Sequence, residues 1–399
     1  MNEGLKDANK LVLNEYILKE LIGMTNNVDP LHNIKLFISS IIQYVKLHYF
    51  LFGRYEGELM QQPRQSVLKR VAGTFKSFLE RENLTPLIPL FLVTQSTPGL
   101  GHVDEVGALY GLMWNTPKYI ISLALRSLRV QKDPYRTYVF KKGYERIWNT
   151  IVQKEQFDIR FLATIHEIHR TKHSVWIEYQ DASSSTKVEQ CGFLIWTPPM
   201  PDLIQYLTNP KSKEKQMFST LRPIIYRSVL MNANNTIRNR PISLFRESVK
   251  NKIEGSAVLD VDIKGILRYG DDLRCSISGG FYYDKRCPFK MEQYNKMSES
   301  ERTITVFQML STATNEFESR EIVKHHYTNH FSATNIQISH TFTKQYGYKW
   351  PPEDLSKCYP WEVFKLQGKY RTWYAGASVS YETVKSVLEY NDLLLRQFR

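Results

Sequence analysis

The feature that most limits how this chain can fold lies near its end. At Trp373-Tyr-Ala-Gly-Ala-Ser378 a run of strand formers gives way to small residues, and from about Ser380 a helical pattern carries Val384, Val387, Leu388, Leu394 and Leu395 on one apolar face. A helix start presents free backbone N–H groups and the positive end of the dipole, and small residues before it let a ligand reach the main chain. A strand passing through glycine into a helix is also common packing, so the junction alone leaves both readings open. No G-x-G-x-x-G fingerprint accompanies it, because Gly99-Leu-Gly101 follows Ser-Thr-Pro rather than a strand and lacks the third glycine.

With 399 residues, 42% hydrophobic and 13% aromatic, the chain can bury a large core, and two domains are expected. Its net charge of +13 is spread along the sequence, and the densest basic runs are as short as Lys211-Ser-Lys-Glu-Lys215. No nucleic-acid-binding module is recognisable, so a specific nucleic-acid partner is not expected. Cys191, Cys275, Cys287 and Cys358 form no C-x-x-C pair and the first residues lack an apolar signal core, which points to a reducing, cytoplasmic setting. The longest apolar run, Ile34 to Phe52, is interrupted by Lys35, Gln43, Lys46 and His48, so no membrane span is expected.

Periodicity organises the rest. Positions 34, 37, 38, 41, 42 and 45 recur at helical spacing and Gly53 stops the helix. A second helix is predicted over Val67 to Glu82, with Leu68, Val71, Phe75, Phe78 and Leu79 on one face, and Asn115-Thr-Pro117 starts another. From Lys142 the pattern predicts a helix through Trp148 and Val152, a strand at Asp158 to Phe161, and two strands meeting near Thr171 to Ser174. A polar hairpin over Asp181 to Lys187 then leads to Cys191–Trp196, whose continuous apolarity predicts a strand buried on both faces, ended by Thr197-Pro-Pro199. Residues 201 to 350 mix strands (Arg227 to Met231, Ala257 to Val261, Asn335 to Ser339) with a helix at Ser298 to Ala313, and no internal repeat or low-complexity tract interrupts them.

Metal-like spacings are weak. His166 and His169 would point to opposite faces of a strand, and Lys324-His-His-Tyr-Thr-Asn-His330 has no carboxylate or cysteine to complete a known pattern, so no metal is expected. Asp104-Glu105 and Asp271-Asp272 read as solvated surface, and no Ser-His-Asp or Cys-His nucleophile signature is present.

Read together, the middle and the tail resemble the flavin-containing amine oxidase superfamily. Lys142-Gly143, Ile159, Ile165, Ile168, Val175, Phe193-Leu-Ile195 and Thr197-Pro-Pro199 occupy the places of a stretch that closes its FAD domain. Trp373-Tyr-Ala-Gly-Ala-Ser378 and Ser380-Tyr-Glu-Thr-Val384 approximate its C-terminal motif. The resemblance implies an α/β and α+β chain: the remainder of an FAD-binding Rossmann-like domain plus a mixed helix and sheet substrate domain. Residues 1–141 would be the helical part of the substrate domain and 142–200 the FAD-domain strands. Residues 201–350 would be the α+β substrate domain and 351–399 the C-terminal FAD-contacting strand and helix.

The resemblance further implies FAD as cofactor, with Ile165 at the adenine end and Gly376, Ala377 and Ser378 by the pyrophosphate and ribityl chain. Tyr381, Glu382 and Thr383 would stand beside the flavin ring, and Thr197 would close the FAD domain. Trp114, Tyr374 and Tyr381 would face a small-molecule substrate, giving up hydride from a C–H bond to the flavin. Thr383 and Val384 depart from the Gly and Ala usual there, which crowds the flavin edge, and the fingerprint glycines are missing. Two readings follow: the chain is a fragment of a flavoenzyme whose dinucleotide fingerprint precedes it, or it is a relative that has lost the pyrophosphate loop and binds a ligand or partner without catalysis.

Overall fold

The structure is a computed structural model that describes residues 13–57, 60–96, 100–127, 145–234, 242–244, 257–262, 304–310, 315–331, 333–380 and 383–397. Helices dominate the first part. The Pro30–Phe52 helix has Pro at its start, Asp29 accepting from the Leu31 N–H as N-cap, and Gly53 at φ 62° as C-cap. The stretch read as one helix from Val67 to Glu82 is two, Gln65–Arg70 and Phe75–Arg81. Gly73 at φ +94° breaks it, and Thr74 caps the second piece by accepting from the Ser77 N–H. Leu68, Val71, Phe75, Phe78 and Leu79 are nonetheless all buried, because both pieces lean on the same core.

Three sheets follow. Strands β1 (Thr164–Arg170), β2 (Val175–Gln180) and β3 (Thr186–Cys191) form an antiparallel meander. Strand β4 (Leu194–Trp196) pairs in parallel with the last strand, β10 (Thr372–Tyr374). Between them in the sequence, β5 (Arg222–Asn234), β6 (Ile242–Leu244), β7 (Ala257–Asp262), β8 (Ile304–Leu310) and β9 (Thr334–Lys349) make an antiparallel sheet of order β6-β7-β8-β5-β9. The Glu316–Phe331 helix covers that sheet through Val323 and Tyr327, which meet Val229 and Met231.

Four sequence expectations are corrected here. Asp158 to Phe161 is irregular backbone rather than strand. Cys191–Trp196 is not one strand buried on both faces, since β3 ends at Cys191 and Ile195 of β4 is 49% exposed. The segment read as helix at Ser298 to Ala313 contains β8, where the β-branched run Ile304-Thr-Val306 favours the pleated chain. The last helix, Val384–Gln397, buries Tyr390 and Leu394, while Val384, Leu388 and Leu395 stay exposed. One core nevertheless runs through most of the described chain, from Tyr16 and Leu21 to Tyr390 and Leu394.

Candidate functional site

The parallel pair brings the chain's centre and its tail together. Thr372, Trp373 and Tyr374 lie opposite Leu194, Ile195 and Trp196, and the Ala375 N–H extends the ladder to the Trp196 carbonyl at 2.9 Å. The next residue explains its own identity. A Cβ on Gly376 would stand 2.7 Å from the Thr197 carbonyl oxygen, and its φ is +87°, so only glycine lets the tail cross Thr197 at this distance. Thr197 and Gly376, expected in one site, are thus in contact.

Past this crossing the chain turns through Ala377, Ser378 and Val379 toward the last helix. Thr383 is that helix's N-cap, accepting at its hydroxyl from the Ser386 N–H at 3.0 Å. Tyr381 and Glu382 lie outside the described residues.

Ala377 and Ser378 line a cavity that the sequence did not reveal. Its other walls are Met60, Leu109, Met113, Tyr348, Lys349 and the indoles of Trp350 and Trp361. These walls are pinned. Trp350 Nε1 donates to the Met217 carbonyl at 2.9 Å, Trp361 Nε1 to the Met60 carbonyl at 2.7 Å, and the Trp350 N–H to the Tyr110 hydroxyl at 3.3 Å. Lys349 is buried at the end of β9, its Nζ donating to the Gly347 carbonyl at 3.2 Å. Its partners in the wall come from sequence positions hundreds of residues apart.

The other expected residues stand elsewhere. Trp114 lies one residue beyond the wall residue Met113, with its indole N–H held by the Thr94 carbonyl at 2.6 Å. Tyr374 is buried and its hydroxyl donates to Glu214 Oε1 at 2.5 Å. Burial and the neighbouring Glu214 carboxylate raise the Tyr374 phenol far above its ordinary value. Ile165 is half-buried on β1, paired with Tyr179, and packs on the main core away from the cavity.

Under the strand pair lies a buried ionic knot. Arg170 of β1 makes a two-pronged contact with Glu214, at 2.9 and 2.7 Å, and a third bond to the Thr372 hydroxyl at 3.3 Å. Burial pushes the Glu214 carboxyl up, but hydrogen bonds from Arg170, Tyr374 and the Lys211 N–H outweigh it and hold the group below the usual carboxylate range. The knot ties β1, β10 and the Ser212–Phe218 helix to one point.

The residues present can be tested against a flavin nucleotide. Ser378 Oγ is buried in the turn without a hydrogen-bond partner, and small side chains flank it. That fits the approach of a polar ring edge. The outer edge of β10 is closed by the Gln367 amide, which accepts from the Tyr374 N–H and donates to its carbonyl at 2.8 Å each. Beyond β4 no further parallel strand stands among the described residues; β4 leads through Thr197–Pro199 into the Met200–Tyr206 helix, and β10 leads through Gly376 toward the last helix. The cavity itself offers about 30 Å³ of space for water, enough for two or three molecules at about 10–15 Å³ each.

No protein-family description matches the chain, and no curated protein matches it by sequence. Solved structures do. A CLA-producing fatty acid isomerase from P. acnes superposes with a TM-score of 0.71 at 15% identity, over 96% of this chain and 84% of that one. A putrescine oxidase with redesigned cofactor binding gives a TM-score of 0.52 at 9% identity, over 90% of this chain and 74% of that one. Wild-type putrescine oxidase bound to putrescine gives 0.51 at 9% identity, again over 90% and 74%. The chain is similar to these proteins in fold.

Proposed function

We propose that this chain forms the substrate side and the ring side of a flavin-dependent oxidoreductase site in a reducing, cytoplasmic setting. The observation that carries the reading is the contact of Gly376 with Thr197, which sets the Ala377–Ser378 turn on the cavity wall. FAD, when bound, would supply acceptance of hydride from a substrate C–H bond. Ser378 Oγ and the turn's backbone would hold the ring edge, and Lys349 would place a positive charge near it. The cavity as it stands has room for only a few waters, so Trp350 and Trp361 would have to shift to admit a substrate chain and would then pack along it.

The walls favour a carbon chain over an amine as substrate. An amine cation calls for a carboxylate or an aromatic cage open to its charge, whereas among the described residues no Asp or Glu lines the cavity and its charged side chain is cationic. The higher TM-score to a fatty acid isomerase than to putrescine oxidase supports the same preference. The runner-up, a non-enzymatic relative that holds a ligand in this cavity, draws on Thr383 and Val384, which crowd the flavin edge.

The test is to incubate the purified protein with FAD, remove oxygen, and add an unsaturated fatty acid or a diamine in turn. Bleaching of bound flavin by the fatty acid and not by the diamine supports the proposal. Bleaching by the diamine alone returns the site to amine chemistry. Ligand binding without any flavin leaves the non-enzymatic reading.

A further inference from the structure

The Pro30–Phe52 helix carries two apolar stripes, and only one meets the protein. The buried stripe runs through Ile41, Tyr44, Leu47 and Leu51. The second, Leu31, Ile34, Ile38, Ile42 and Tyr49, also recurs at helical spacing, yet it is exposed, from 39% at Ile38 to 58% at Leu31. Just before the helix Val28, 79% exposed, extends this apolar face.

Charge borders the stripe with one sign. The helix contains no Asp or Glu, and Lys35 and Lys46 stand exposed beside the apolar row with no ion pair among the described residues. Exposed Arg54 and Arg64 continue the basic side past the helix end. The acids nearby are committed: Asp29 caps the helix, Glu82 holds Arg70 at 2.7 Å, and Glu56 holds Lys118 at 3.2 Å. An exposed apolar row flanked by unpaired cations is the pattern of a helix lying at a bilayer surface. A second copy fits less well, since a two-fold contact through this stripe would bring the lysine flanks of both copies close together.

We infer that the Pro30–Phe52 helix seats the protein on an anionic bilayer, with Leu31 to Tyr49 among the acyl chains and Lys35 and Lys46 at the lipid head groups. The seat adjoins the interior. Phe50, 73% exposed, also lines a cleft with Arg54, Tyr55, Arg64 and Met60, and Met60 is shared with the cavity at Ala377. The inference stands independently of any flavin.

The experiment is co-sedimentation of the full chain with vesicles of phosphatidylcholine, alone or with phosphatidylserine at about a third of the lipid. Binding is expected to the anionic vesicles and to weaken with salt. Lys35→Gln with Lys46→Gln should weaken it about fivefold per lysine, and Ile38→Asp with Ile42→Asp should abolish it. Circular dichroism checks that each variant folds. The lysine pair leaves the apolar row intact and keeps the test open if the aspartates unfold the helix. Absence of vesicle binding, or binding that neither pair alters, overturns the inference. A concentration-dependent dimer lost on Ile38→Asp with Ile42→Asp, without vesicle binding, overturns it in favour of a second copy.

Discussion

Single residues already set steep penalties in this fold. Gly376 combines φ +87° with a carbonyl oxygen 2.7 Å from where its Cβ would be. Gly376→Ala should therefore cost at least about 2 kcal/mol, because both the backbone conformation and the crossing at Thr197 are lost. Gly192→Ala is the control: its Cβ would meet nothing within 4 Å and its φ is not in the left-handed region, so thermal melting should show no loss.

His48 gives a pH signature. Burial lowers its pKa to about 4, against an ordinary value near 6.5, while its Nε2 meets the Leu112 carbonyl at 3.1 Å. Between those two values the unfolded chain binds the extra proton and the folded chain does not. Stability from this group is thus complete above pH ~6.5 and declines as pH falls toward ~4, by on the order of 3 to 3.5 kcal/mol. Denaturant titrations across that range should show the decline in the parent protein and a flatter profile in His48→Gln, which keeps a donor for Leu112.

At the scale of elements, the parallel pair depends on the knot beneath it. Glu214→Gln strips the charge opposite a buried Arg170 and should destabilise by about 3–5 kcal/mol. Tyr374→Phe removes one hydrogen bond from the same carboxylate and should cost about 1–2 kcal/mol. Because the folded Glu214 carboxyl lies below its unfolded value, its contribution is present above pH ~4.3 and is lost as acid protonates it. Acid unfolding of Glu214→Gln should lack that component.

Elements were legible where local chemistry and packing agree. Asp29-Pro30 and Gly53 bracket the long helix in sequence as in space. Gly73-Thr74 held the signal that splits the next helix, but a shared apolar face hid it. The reverse happened at β8, where a helical reading overrode a β-branched run.

Across the whole molecule, the meeting of centre and tail was expected only from the family resemblance of the two segments, since strand ends at Thr197-Pro-Pro199 and at the Gly376 turn do not by themselves say which strands pair. Lys349, Trp350 and Trp361 were not readable as a wall, since nothing local places them against residues 377 to 380. Nor did the sequence show that Gln367 closes β10 while the side of β4 away from β10 lacks a strand partner among the described residues. On the proposed reading, the described residues offer the Gly376–Ser378 turn to a flavin and no further parallel strand beside β4.

The measurement that bears most directly on this is a side-by-side titration of riboflavin and FAD, followed by quenching of flavin fluorescence. Riboflavin carries the ring and ribityl chain without the pyrophosphate and adenine, so the account predicts that both bind, with affinities equal within about threefold, and that Ser378→Val weakens both alike. Binding of FAD more than about a hundredfold tighter would reveal contacts to the pyrophosphate or adenine, and binding of neither would remove the flavin from the site altogether.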